Sequence, residues 1–388
     1  MKIVIFNQYC ENRGDEAAGT ALVRNLLANP RVSQIDIIYN SSNRLDILDE
    51  RIRHRNIDLR LKNAGKIGIL RYLLLRRTFL KNSSFSNNVM KEMIRTINDA
   101  DYIYVTPCGA SIGIYKDWAF LLRLLFVIIE GKTPIFCLNT INASGNIVFD
   151  FLARKVLRKS ILYVREQRSV DFLKSIDLDS QLGVDTAFSE RPIIREKKDN
   201  CIGLVVTLLG WHPEFKGRDM ATEVIENIIP GIAKYCIDNN YKIELIPHTG
   251  QADEVQYIKE VMIELRNHGM PKDALIFRND VKTSDEYDQA LASKQFIVGM
   301  RYHSIVLAAK NFVPFVALAY ENKMKEVCSY TNCEDSYINL QNRVTAEDVY
   351  EKMELVNKNK DSITKKIEVA YKTRLKDLSR LPLKELAK

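Results

Sequence analysis

An α/β fold of two Rossmann-like domains, facing each other across a central cleft, is what this 388-residue chain predicts. Three observations carry it. Short apolar runs rich in Val and Ile alternate with helix-periodic segments along nearly the whole chain. Most of the runs, such as Ile135–Leu138 and Pro314–Leu318, are apolar throughout, as parallel strands covered on both faces are. The pattern then stops at a charged stretch containing Pro192, residues 191–200, and starts again.

The first domain, residues 1–190, opens with a strand at Lys2–Phe6, a polar loop, and a helix over Glu16–Leu27 with Asp15 at its start as a natural cap. Strands follow at Ile35–Tyr39, Tyr102–Thr106, Ile135–Leu138 and Ile161–Val164, with a short one at Gln181–Val184. Helices at Asn87–Asn98, Asp117–Ile129, Ile147–Leu157 and Arg168–Ile176 supply the crossovers, which parallel strands require. The second domain, residues 201–345, takes strands from Ile202–Thr207, Lys242–Ile246, Ala274–Phe277, Phe296–Val298 and Pro314–Leu318. Its helices fall at Met220–Asn239, Asp253–Asn267, Asp285–Ala292, Ser304–Ala309 and Glu321–Tyr330. A basic helical tail, residues 346–388, ends the chain.

The net charge of +8 is unevenly placed. Residues 51–81 hold ten Lys/Arg against the single acid Asp58, interleaved with Ile and Leu in a way that suits an anionic membrane surface or a packed helix with a solvated face. No apolar run reaches the roughly 20 residues of a spanning helix; the longest, Trp118–Ile129, is broken by Arg123 and reads as a buried crossover helix. Seven cysteines without metal-type spacing read as reduced core residues of a cytoplasmic protein, peripheral at most to the inner face of a membrane. No Gly-x-Gly-x-x-Gly, Walker loop or Gly-x-Ser-x-Gly elbow occurs, and no nucleic-acid motif is visible. Neither a cofactor nor a catalytic metal is expected.

Chemistry-bearing residues cluster where strands end and helices begin, the position at which open α/β sheets bind ligands. Arg301 and His303 follow the Phe296–Val298 strand: a fork for a phosphate or carboxylate beside a group that titrates near neutrality. Arg165 follows Ile161–Val164, as a second clamp on an anion or as a partner for Glu166 or Asp185. His248, in Ile246-Pro247-His248, ends another strand upstream of Asp253. Asn12, Gly14 and Asp15 form the first loop, and Asn139, Asn142 and Ser144 a polar corner on the acceptor side. Trp211-His212-Pro213 offers an aromatic that could stack on a sugar.

Taken in order, Asn12-Arg13-Gly14-Asp15, Arg165-Glu166-Gln167-Arg168-Ser169, Pro247-His248, Arg301-Tyr302-His303 and Tyr320…Lys323 resemble the signature of the polysaccharide pyruvyl transferase family over residues 1 to about 330. One departure is Thr106-Pro107-Cys108-Gly109-Ala110, where the family usually carries a run of glycines. The resemblance implies a GT-B-like fold and transfer of pyruvate from phosphoenolpyruvate, a co-substrate, to a saccharide of a cell-surface polymer or its lipid-linked precursor, forming a cyclic ketal and releasing phosphate. It further implies anion binding by Arg301, Arg165 and Lys323, acid catalysis by His303, and activation of the acceptor by Asp15 or His248. A nucleotide-sugar glycosyltransferase of the same fold class, and a non-catalytic membrane-associated subunit of a polysaccharide assembly complex, are the competing expectations.

Overall fold

The computed structural model describes residues 1–55, 57, 88–196, 200–210, 212 and 215–387. It divides into two compact units. One consists of Met1–Cys10, Ala18–Thr186 and Arg380–Lys388, the other of Glu11–Ala17 and Ala187–Ser379.

Through the first sheet the elements run β1 (Lys2–Gln8), α1 (Arg13–Leu27, its first turn counted in the second unit), β2 (Gln34–Tyr39), β3 (Ile52–Arg55), α2 (Asn88–Asn98), β4 (Tyr102–Val105), α3 (Trp118–Ile129), β5 (Pro134–Asn139), α4 (Ile147–Leu157), β6 (Ile161–Val164), α5 (Gln167–Ser175) and β7 (Gln181–Leu182). They form a seven-stranded sheet of order β3-β2-β1-β4-β5-β6-β7. Every pairing is parallel, with Ile3 opposite both Ile35 and Tyr102. Val4, Phe6, Val105, Phe136 and Val164 are fully buried or nearly so and share one core with Met93, Leu124, Phe149 and Val156 of the covering helices. Each such side chain contributes about 1.5–3 kcal/mol by burial. Asp117 caps α3 by accepting from Phe120 N, and Asn146 caps α4 by accepting from Phe149 N. Arg123, in the middle of α3, is fully buried. Its guanidinium donates to Asn7 Oδ1 at 2.9 Å, Asn40 Oδ1 at 3.0 Å and Ile57 O at 3.1 Å. The apolar stretch is therefore a buried crossover helix, and among the described residues no helix is long and apolar enough to cross a membrane. The last residues of the chain return here: Tyr163 donates to Glu385 at 2.7 Å.

The second unit repeats the plan with β8 (Cys201–Val205), α6 (220–238, containing a single π-turn at Val224–Ile228), β9 (Lys242–Leu245), α7 (Ala252–Asn267), β10 (Leu275–Phe277), α8 (Ser284–Ala292), β11 (Ile297–Gly299), α9 (Tyr302–Lys310), β12 (Phe315–Ala319), α10 (Asn322–Tyr330), β13 (Tyr337–Asn339), α11 (Ala346–Lys358) and α12 (Lys360–Ala370). Its sheet order is β10-β9-β8-β11-β12-β13, again wholly parallel. Both sheets reverse their strand order beside the first strand, between β1 and β4 and between β8 and β11. That crevice is where doubly wound sheets place ligands.

Two edge strands lie outside the sequence expectation. β3 reads Ile-Arg-His-Arg and offers no apolar run, because an edge strand with an exposed face tolerates charge. β13 is three residues long, too short for a periodicity to register. The basic insert at 51–81 is described only at 51–55 and 57; its remaining residues, and Trp211 and Pro213, lie outside the described residues.

Candidate active site

The carboxyl end of the second sheet gathers the titratable groups. His248 follows β9, Arg301 and His303 follow β11, and Tyr320, Glu321 and Lys323 follow β12. Arg301 is the N-cap residue of α9, with φ −100° and ψ 136°, so its side chain and the first free amides of that helix share one end. The segment Glu11–Ala17 belongs to the same unit. Arg13 N donates to His248 O at 3.1 Å, and Asn12 bridges Thr249. Arg13 Nη2 donates to Val281 O at 2.8 Å. The Glu16 carboxylate accepts from both Ser284 N and Ser284 Oγ, at 3.2 and 3.1 Å.

Asn12, Gly14, Asp15, His248, Arg301, His303 and Lys323 thus all lie in one unit. Gly14 is required by close approach: a β-carbon there would run into the His303 imidazole. Asp15 exchanges two hydrogen bonds with Asn12, each 2.7 Å. The rings of His248 and His303 lie nearly parallel, 13° apart, with centroids separated by 6.4 Å. Tyr302 meets His303 edge-on and lies under the Lys323 ammonium at 5.5 Å.

Burial sets the electrostatics. Desolvation first, and then the charges of Arg301, His303, Arg13 and Lys323, push the His248 pKa well below its ordinary value near 6.5, so its ring is neutral at neutral pH. Its Nδ1 lies 3.3 Å from the Tyr287 hydroxyl. Burial opposes the Arg301 charge, but Tyr320 and Glu254 more than offset it and the pKa is raised. Burial alone would raise the Glu321 carboxyl; Lys323, whose Nζ is 2.8 Å away, and His212 hold it down to about 2.

Glu254 is the residue that sequence reasoning missed. It is buried, and one carboxylate oxygen accepts from the amides of His248 at 2.9 Å and Thr249 at 2.7 Å. The other accepts from Arg301 Nη2 at 3.1 Å. One side chain therefore fixes both the His248 loop and the Arg301 guanidinium. The neighbouring Asp253, singled out by its motif, is exposed and accepts from Glu254 N at 2.8 Å. First-turn acids are so common in helices that nothing in the sequence separates the two.

Arg165 and Asn139 belong to the first unit. Arg165 makes a buried ion pair with Asp185, 2.6 Å between Nη1 and Oδ2, and its Nε donates to Thr140 Oγ1 at 3.3 Å. Asn139 Nδ2 donates to Thr106 O at 2.7 Å, while Thr106 Oγ1 donates to Gln8 Oε1 at 2.6 Å. Asn139 follows Leu138, which sits at φ 61°, and the register of β5 on β6 shifts there. A left-handed conformation at a leucine is strained, and it turns the corner that displays Asn139. Asn142 and Ser144 serve local structure: Asn142 Oδ1 accepts from Ile114 N, and Ser144 N donates to Asp150.

Two parallel doubly wound sheets with helices on both faces define a GT-B-type protein, and solved structures agree. The putative UDP-N-acetylglucosamine 2-epimerase from Listeria monocytogenes superposes with a TM-score of 0.62 at 13% identity, covering 99% of this chain and 95% of that one. The UDP-GlcNAc 2-epimerase from Neisseria meningitidis gives a TM-score of 0.58 at 11% identity over 100% of each chain. WaaG, a glycosyltransferase involved in lipopolysaccharide biosynthesis, gives 0.52 at 12% identity over 99% and 98%. At such identities the likeness concerns fold alone. No curated protein matches the chain in sequence. The family model of polysaccharide pyruvyl transferase matches residues 12–322, most of the chain, and the protein belongs to that family.

Proposed function

We propose that the protein transfers pyruvate from phosphoenolpyruvate to a saccharide of a surface polymer or its lipid-linked precursor, forming a cyclic ketal. The observation that carries this reading is the grouping of Arg301, His303, a neutral His248 and Lys323 at the carboxyl edge of the second sheet, after β9, β11 and β12. Arg301 and Lys323 hold the phosphate and carboxylate of the donor as charge-assisted hydrogen bonds. Protonation of C3 makes C2 electrophilic, and His303 gives that proton. An acceptor hydroxyl adds to C2 as its own proton passes to His248, whose neutral ring can receive it, or to Asp15. A second hydroxyl closes the ring at C2, phosphate departs with the C–O bond electrons, and the remaining proton leaves with it. Arg165, whose side chain is fully buried against Asp185 where Arg301 keeps part of its surface open, is given no step in this scheme.

The scheme involves neither metal nor further cofactor. The test is phosphate release from phosphoenolpyruvate in the presence of a panel of acceptor glycans, alongside calorimetry with phosphoenolpyruvate and with UDP- and GDP-sugars. Acceptor-dependent phosphate release supports the reading. Binding of a nucleotide sugar without any response to phosphoenolpyruvate would move the protein to the glycosyltransferases whose fold it shares.

A further inference from the structure

Helix α4 presents a face that is at odds with a simple solvated surface. Ile147 is 89% exposed, Val148 60% and Phe151 59%. Lys155 follows on the helix, Arg158 is its C-cap and Lys159 lies in the turn just beyond; all three are exposed. At about 100° per residue Ile147, Val148, Phe151, Lys155 and the C-cap Arg158 fall within one arc of about 100°, with Lys159 in the turn that follows. The arc is apolar at its N-terminal end and basic at its C-terminal end. Asp150, the acid of this helix, lies off the arc and accepts from Ser144 N at 3.0 Å. Lys155 Nζ stands 4.4 Å from the centre of the Phe151 ring, so the two halves of the stripe are continuous. Trp118, 41% exposed, packs edge-on against Phe149 with ring centres 5.1 Å apart, bringing a half-exposed indole to the same end of α4.

We propose that this stripe docks on an anionic lipid bilayer, with Ile147, Val148, Phe151 and Trp118 entering the headgroup boundary and Lys155, Arg158 and Lys159 meeting lipid phosphates. Exposed isoleucine and phenylalanine beside an indole match the apolar depth of an interface. Lysine is depleted from the cores of protein–protein contacts, whereas on a bilayer its long stem lies along apolar surface while the ammonium reaches the headgroups. The helix begins directly after the Asn139–Asn146 corner, so docking would hold that corner near a lipid-linked saccharide. The docking itself does not rest on the pyruvyl-transfer reading, since it is measured without turnover.

The experiment is co-sedimentation of the full chain with vesicles of phosphatidylglycerol mixed into phosphatidylcholine, and with phosphatidylcholine alone, at low and raised salt. Binding is expected only to the anionic vesicles and should weaken as salt rises. Ile147→Asp/Phe151→Asp should lower the partition coefficient at least about tenfold, with the unfolding temperature and turnover on a soluble acceptor unchanged. Lys155→Ser/Arg158→Ser/Lys159→Ser should flatten the salt dependence. In a Trp211→Phe background the Trp118 emission should shift to shorter wavelength on anionic vesicles. Failure of the wild type to bind overturns the proposal, as does unchanged binding by Ile147→Asp/Phe151→Asp, which would place any docking elsewhere. Light scattering that shows a dimer dissolved by that variant would overturn it in favour of a second copy of this chain as the occupant. A fall in soluble-acceptor turnover would do so in favour of the acceptor.

Discussion

The same parallel plan is built twice in this chain, and the two carboxyl edges have been put to different use. In the first unit the polar groups at the strand ends close on one another: Arg165 on Asp185, Asn139 on Thr106, Thr106 on Gln8. In the second, three of the chain's five histidines, two cations and two acids converge on the ends of β9, β11 and β12 and on the loop after β8. Strand order therefore does not decide where reactive groups accumulate. The loops do, and the first unit spends its loop polarity on holding its own corners.

Substitutions can break this contrast. The largest effect is expected at His303. Replacement by Ala should lower turnover roughly 10²–10⁴-fold while donor affinity by calorimetry persists, because a proton donor goes and the cations stay. Equal turnover in a folded variant would remove His303 from the chemistry. In the first unit, Arg165→Met should cost about 3–5 kcal/mol of stability by stranding the buried Asp185 carboxylate. The double variant Arg165→Met/Asp185→Leu should recover much of the melting temperature and retain donor affinity. Weak donor binding in a well-folded double variant would show that the first unit does contribute a cation.

A smaller effect is expected at Glu254. Glu254→Gln retains the shape but turns one acceptor into a donor facing Arg301 or two backbone amides. The expected loss is roughly 1–3 kcal/mol in kcat/KM. The split between kcat and KM reports whether Arg301 or the His248 loop suffers more.

The smallest is a pH effect. The folded pKa of His248 lies below its unfolded value. Between the two, the unfolded chain binds a proton that the folded one does not, so stability falls as pH drops below about 6.5. Glu321 acts in the same direction in a lower window, from the ordinary carboxylate range down to about 2. Glu16, raised chiefly by burial, opposes both. The difference in melting temperature between wild type and His248→Gln isolates the first contribution and should diminish on acidification from pH 7 toward 5. A constant difference would mean that His248 titrates in the folded state as it does in the unfolded chain, and a growing one that its charge is stabilised there.

Local chemistry determined much of this protein. Continuous apolar runs such as Ile135–Leu138 and Phe315–Ala319 specify buried parallel strands, because only a sheet covered on both faces can take them. Arg301 and His303 were legible as a pair because a strand, a polar corner and a helix sit within a few residues. Tertiary structure decided what depends on long-range partners. Sequence placed the Asn12–Asp15 loop with the first strand, but Arg13 and Glu16 find their hydrogen-bond partners at His248, Val281 and Ser284. Sequence placed Gly14 in the first loop, and only the fold shows that the group it makes room for is His303. Arg165 could be a clamp or an ion pair until Asp185, 20 residues on, was seen 2.6 Å away. Glu254 looked like any first-turn acid until the fold brought two amides and a guanidinium to it. Periodicity encodes which face is buried. It does not encode which buried polar group another will meet, because that is fixed only when strands far apart in sequence are laid side by side.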